Sequence, residues 1–440
     1  MTTPHGPTQD PARPSASAAT VRRRDVLVGG GGAVAGALAA WAAGALGAPT
    51  VPTVPTVPGT DDAPDASATP SSPATPDLAT ATIDWRGPHQ AGIATDPQGH
   101  LTLLGLDLRP GTTVEALRRL MLIWTDDIDR LTTGRGGISD SEPELAHTPA
   151  NLTVTLGVGP GFFDVPGLAE HRPAWLAPLP AFSRDRLRPE WSGGDIALQV
   201  CGEDPISVSH AARFLAKEAR AFTTVRWTQT GFRGYPGALP PGRTMRNLFG
   251  QLDGTRNPHP DGHPDLVWLG DDAPPWLRGG TSMVVRRIAM DLDGWDEVDR
   301  PARDTALGRR LDTGAPLTGT DEFDEPDLDA RGELGFPRID LAAHIRRTRT
   351  DDPTQRIHRR PYNYELPPGP GQLSDAGLVF ICFQADLDHQ FTPLQARMDE
   401  MDLLNTWNHA IGSAVFAVPG GVHGPGENLL DRLLARVDAP

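Results

Sequence analysis

The sequence predicts an α+β protein assembled from two copies of one antiparallel unit. Its 440 residues suffice for two ordinary domains, each with its own core. Segments of strand and amphipathic-helix character follow one another in the order strand, helix, strand, strand, helix. DIALQVCGED at 195–204 and GLVFICFQAD at 377–386 also share a shape: a buried strand with a cysteine, an acidic turn, then an amphipathic helix. Two ferredoxin-like domains with antiparallel sheets account for this duplication most simply. The division falls near 230 to 245, giving domains at 81–238 and 239–440.

The first 48 residues read differently. Arg22, Arg23 and Arg24 precede Val26, Leu27 and a weakly apolar Gly/Ala run. This is the pattern of a twin-arginine export signal, and the four glycines at 29–32 make the run a poor membrane anchor. The expected location is therefore extracellular or in the cell envelope, with the twin-arginine machinery as a partner. That route carries folded proteins and suits a chain that takes a prosthetic group before export. Residues 49–80, rich in Pro, Thr, Ala and Ser, cannot bury enough apolar surface to offset chain entropy and read as a disordered tether.

Within the two domains, 100–108 reads as a strand and 113–131 as a helix capped by Thr112 or Thr113. Strands are expected at 151–158 and 195–201, with a helix at about 206–222. In the second half, 282–293 reads as a strand. The stretch 377–384 is apolar on both faces and so central, and it leads to a helix at about 391–410.

Composition narrows the chemistry. The net charge is −16, which disfavours nucleic acid and anionic membrane as partners. The only cysteines, Cys201 and Cys382, lack metal-ligand spacing and read as a lone disulfide or two buried thiols. Lys217 is the sole lysine, so basic chemistry falls to arginine and histidine.

Three stretches stand out. GQLDGTRNP at 250–258 places Asp253 between glycines in a turn-forming segment. A calcium loop starting at Asp253 would need glycine at Pro258 and glutamate at Pro264, and the prolines around His259 and His263 forbid a helical metal pair. His344 ends a short apolar segment and is followed by Arg346, Arg347 and Arg349, a cluster suited to an anionic prosthetic group. Histidines 210 and 409 are weaker rivals on expected helices. In HRRPYNY at 358–364, Arg359 or Arg360 could point a permanent positive charge into a site.

Together these stretches resemble the dye-decolorising peroxidases. GQLDGTRNP matches that family's Gly-x-x-Asp-Gly-Thr-x-Asn-Pro loop, AAHIRRT its proximal-histidine segment and HRRPYNY its distal-arginine segment. Echoes in LTVTLGVGPGFF, GGDIALQVCGEDP, WDEVDRPARDTALGRRLDTGAPL, GLVFICFQADLDHQFTPLQ and GSAVFAVPGG keep the family's order over roughly 85 to 425. The closest branch in style is the exported one that includes deferrochelatase/peroxidases.

The resemblance implies haem b (iron protoporphyrin IX), held mainly by the C-terminal domain. His344 would be the axial iron ligand, backed by Asp402 with Asp399 as the alternative. Asp253 and Arg359 would be the distal catalytic pair. Thr255, Arg256 and Asn257 would lie beside the haem edge, and Arg346 would pair with a propionate. Phe380 or Phe383 would wall the distal pocket, and strand alternation allows only one of them. The implied reaction reduces hydrogen peroxide through an oxoferryl intermediate and oxidises small or bulky organic donors such as dyes and phenols. Alternatives are iron release from haem and a haem- or metal-binding chaperone without turnover. Nothing in the sequence opposes a homo-oligomer.

Overall fold

The computed structural model describes residues 77–234 and 244–437. The export signal and all but the last residues of the tether lie outside the described residues. Among the described residues no helix is long and apolar enough to cross a membrane.

The N-terminal half runs β1 (His100–Leu108), α1 (Val114–Leu131), β2 (Thr153–Val158), β3 (Ile196–Gly202), α2 (Pro205–Glu218), β4 (Thr223–Phe232). Its strands lie in the order β2-β3-β1-β4, all antiparallel, which is the ferredoxin-like arrangement. Thr113 caps α1 by accepting from the Ala116 N–H, and Asp204 caps α2 by accepting from the Ser207 N–H. Both β2 and β3 are buried on both faces, as their continuous apolar character requires.

The C-terminal half repeats this plan with β5 (Thr281–Met290), α3 (Arg300–Leu307), α4 (His344–Arg347), β6 (His358–Arg359), β7 (Tyr362–Leu366), β8 (Asp375–Gln384), α5 (Thr392–Met401) and β9 (Asn408–Val418). Here the order is β9-β5-β8-β7, and β6 also pairs with β8. The β3–α2 and β8–α5 segments occupy equivalent places, so the repeat read from the two cysteine-bearing strands is structural. Single pairs, Val158 with Ala417 and Phe232 with Asn363, join the halves into a ring of strands. The face enclosed by the ring is packed with Leu103, Trp227, Met283, Tyr362 and Phe383. Both cysteines are buried and free.

One expected element differs. The helix expected at about 391–410 ends at Met401, because Asp402 turns extended and its carboxylate accepts the Leu404 N–H. The residues beyond then pair with β5, starting at Asn408 opposite Met290. His409 therefore sits on a strand, where ladder hydrogen bonds outweigh local helix propensity. His210 does lie on α2, but its ring is buried against Asp140 at 2.9 Å, a structural role.

Candidate active site

The second half is hollow where the first is filled. Two communicating lobes share Gln251, Asp253, His344, Arg359, Phe380 and Met398 in their walls. They enclose about 870 and 1300 Å³ of empty space, counting the part open to solvent.

His344 opens α4, a single turn whose position is fixed from below. Gly308 ends α3 at φ 73°, and a Cβ there would come within 2.4 Å of Ile345. Only glycine permits both that left-handed cap and that approach. The His344 Nδ1–H donates to Asp402 Oδ2 at 2.6 Å, while Asp402 Oδ1 takes the Leu404 N–H at 2.9 Å. The Asp402 carboxylate is 2% exposed, so both oxygens are committed inside the protein. This fixes the tautomer and leaves the Nε2 lone pair toward the cavity. Burial pulls the imidazole pKa down, but the charge and hydrogen bond of Asp402 outweigh it and the net shift is upward. The alternative Asp399 is spent elsewhere, on the Ser183 and Arg184 N–H groups.

Across the cavity the Arg359 guanidinium donates to Asp253 Oδ1 at 3.1 Å. Two ties bring these residues together from 106 positions apart. Asn257 clamps the Arg359 backbone in both directions, accepting its N–H at 2.7 Å and donating to its carbonyl at 2.8 Å. His358 Nδ1 lies 2.9 Å from the Pro258 carbonyl. The loop's glycines carry φ of 81° at Gly250 and 142° at Gly254, which L-residues rarely adopt. Arg360 points the other way and is fully buried against the Thr95 carbonyl and Gln98. Phe380 lines both lobes, while Phe383 packs in the ring interior.

The outer lobe is basic. Arg256, Arg309, Arg349 and Arg356 line it, and Glu325 bridges Arg256 and Arg349. Arg309 is buried and, among the described residues, donates only to the Gly314 and Glu322 carbonyls. Burial lowers its pKa, partly offset by Glu322. Burial, then the like charges of Arg256 and Arg359, lowers that of Arg356. Arginine charge thus exceeds carboxylate charge here, an arrangement that favours an anion.

Not every expected residue reaches the cavity. Thr255 and Arg256 line it, with the Thr255 hydroxyl donating to Glu322 at 2.8 Å. Asn257 is instead the clamp on Arg359. Arg346 turns away: its guanidinium donates to the carbonyls of Leu328, Ile339 and Asp340. The expected propionate contact of Arg346 is therefore corrected, since two residues along a helix rotate a side chain about 200° from His344. Arg309 and Asn247 went unrecognised in the sequence, and Gln251 stood inside GQLDGTRNP without a role of its own. Only tertiary contact sets them apart.

A slot with apolar walls, a histidine lone pair on one side, an Asp–Arg pair on the other and cations at its open end fits a planar iron porphyrin with carboxylate edges. Fold and site together define a haem-dependent peroxidase. Residues 90–233 and 244–423 match the Dyp-type peroxidase N-terminal and C-terminal families. The dye-decolorizing peroxidase of Thermobifida fusca is 37% identical over 80% of this chain and 86% of its own. The deferrochelatase of Escherichia coli K12 is 34% identical over 78% and 86%. Among solved structures, the DyP-type peroxidase of Cellulomonas bogoriensis superposes with a TM-score of 0.79 at 53% identity, covering 81% of this chain and 99% of the other. The chain belongs to the Dyp-type peroxidase family.

Proposed function

We propose that this peroxidase uses His344 to hold haem iron and the Asp253–Arg359 pair to activate hydrogen peroxide. The observation that carries the reading is the placement of that pair across one cavity from a histidine tied to a buried carboxylate. Haem, when bound, supplies the redox-active iron and stores the oxidising equivalents. Asp402 holds the proton on Nδ1 and makes Nε2 a stronger donor. Asp253 would accept a proton from one oxygen of the peroxide and return it to the other, the acid–base role its carboxylate can fill. Arg359 orients the peroxide, and its charge favours separation of the O–O bond. Arg309, Arg349 and Arg356, which line the outer lobe, would hold the carboxylate edge. Small donors reach the cavity, and bulky ones give up electrons at the surface. Export by the twin-arginine route, to the cell envelope or beyond, is part of the same proposal and rests on Arg22, Arg23 and the weakly apolar run after them.

Iron release from haem is the second reading, favoured by the similarity to deferrochelatases. Reconstitution with haem should give a Soret band that shifts on adding peroxide, and His344→Ala should lose that band's ligand-specific form. Protoporphyrin appearing without peroxide would favour iron release, and a wild-type protein that binds no haem would overturn both readings.

A further inference from the structure

A third cavity opens beside the inner lobe and shares Arg184, Asp185 and Asn405 with it. It is also lined by Arg186, Thr406 and His409, and so forms a second approach to the haem cavity, apart from the basic outer lobe. The sequence RDRLR at 184–188 explains its character. This segment runs beside β9, with the Arg186 N–H on the Ala410 carbonyl at 2.9 Å and the Arg188 N–H on that of Ile411 at 2.8 Å. Asp185 turns inward to an ion pair with buried Arg286, and Arg184, Arg186 and Arg188 are exposed.

Asp399 lies beside Arg184 and Asp185 pairs with Arg286, which leaves Arg186 as the charge at this mouth without an ion-pair partner among the described residues. The Arg184 Nε–H donates to the Asp399 carbonyl at 3.4 Å. Against the opposing pull of burial, the charge of Arg184 adds to the two backbone N–H groups that hold the Asp399 carboxyl below its ordinary range. His409 Nδ1 is buried and, among the described residues, without a hydrogen-bond partner. Burial first, then Arg186, lowers the His409 pKa, with Asp291 opposing and Arg184 adding a smaller push in the same direction, which favours a neutral ring with one N–H to donate. On a chain of net charge −16, Arg186 gives this cavity mouth a local positive field, and the exposed Arg184 adds guanidinium donors. Hydrogen peroxide is uncharged and gains nothing from that field.

We infer that Arg184, Arg186 and His409 form a docking site for the anionic group of a small aromatic electron donor, such as a phenol carrying a sulfonate or carboxylate. The inference rests on the peroxidase reading for its oxidant. Each donor loses one electron and its phenolic proton. Two donors serve one peroxide, and the two electrons and two protons complete its reduction to two waters.

The test uses full-length haem-loaded protein and peroxide, comparing 4-hydroxybenzenesulfonate with phenol, and measures competition by redox-inert benzenesulfonate. In Arg184→Gln/Arg186→Gln the ratio of kcat/KM for the sulfonate to that for phenol should fall about tenfold at low salt, and the benzenesulfonate inhibition constant should rise by a similar factor. Arg186→Lys, which keeps the charge, should retain most of the ratio. Arg188→Gln removes the same charge from the same segment outside the cavity and should change the ratio less than about twofold. An unchanged ratio in the double variant, or an equal fall in Arg188→Gln, overturns the site. Failure of the wild type to oxidise either donor would instead overturn the peroxidase reading.

Discussion

The two halves of the strand ring share one topology and use it in opposite ways. In the N-terminal half, α1 buries nine of its residues, among them Leu117, Leu120, Trp124 and Ile128, and closes over the sheet. In the C-terminal half, α5 buries only Leu394, and the long helix is replaced by α3, α4 and the loops around them. What is solid core in one half is cavity in the other. The comparison teaches that a duplicated unit acquires a cofactor site by withdrawing helices from the sheet, leaving the strands to carry stability.

The comparison breaks most sharply at Asp253. Asp253→Asn should keep the haem spectrum yet slow the reaction with peroxide about 10²- to 10⁴-fold, read by stopped-flow absorbance. An equally fast reaction would remove the acid–base role. The counterpart on the filled side is Trp124, fully buried with its indole N–H on the Leu215 carbonyl at 3.0 Å. Trp124→Ala should cost about 3–5 kcal/mol in chemical unfolding while the folded fraction binds haem normally. Haem binding that weakened in step with stability would show that the two halves are not separable in this way.

A smaller effect should appear at Asp127, buried on α1, whose pKa is raised to about 7 by burial first, then by Glu218 and Asp126. The folded state holds this proton more tightly than the unfolded chain. Stability therefore falls as pH rises from the ordinary aspartate range to about 7, and the full penalty is present above that. Asp127→Asn should flatten this slope and raise stability at pH 8 by roughly 2–4 kcal/mol, measured by denaturant midpoints across pH. An unchanged pH slope would place the titration elsewhere.

Much of this was legible in the chain. The duplication showed in two cysteine-bearing strands because a strand buried on both faces leaves a continuous apolar run. Asp253, His344 and Arg359 stood out because each lies in a short stretch with its own chemistry. Strands β4, β7 and β9 were less legible, since β4 buries Thr223 and Gln229 beside Trp227 while Val225 is exposed, and β9 begins inside an apparent helix.

By itself, then, the sequence determined the repeated α+β unit, the residue types of the site and the exclusion of zinc and calcium chemistry around Asp253, because these depend on local pattern and on prolines. The tertiary structure decided which of two adjacent arginines faces the cavity, which aspartate backs His344, and that Arg346 turns away while Arg309 faces in. Those choices depend on the directions side chains take from packed backbone, such as the Asn257 clamp on Arg359 and the Gly308 approach to Ile345. No local pattern encodes a direction that distant contacts impose.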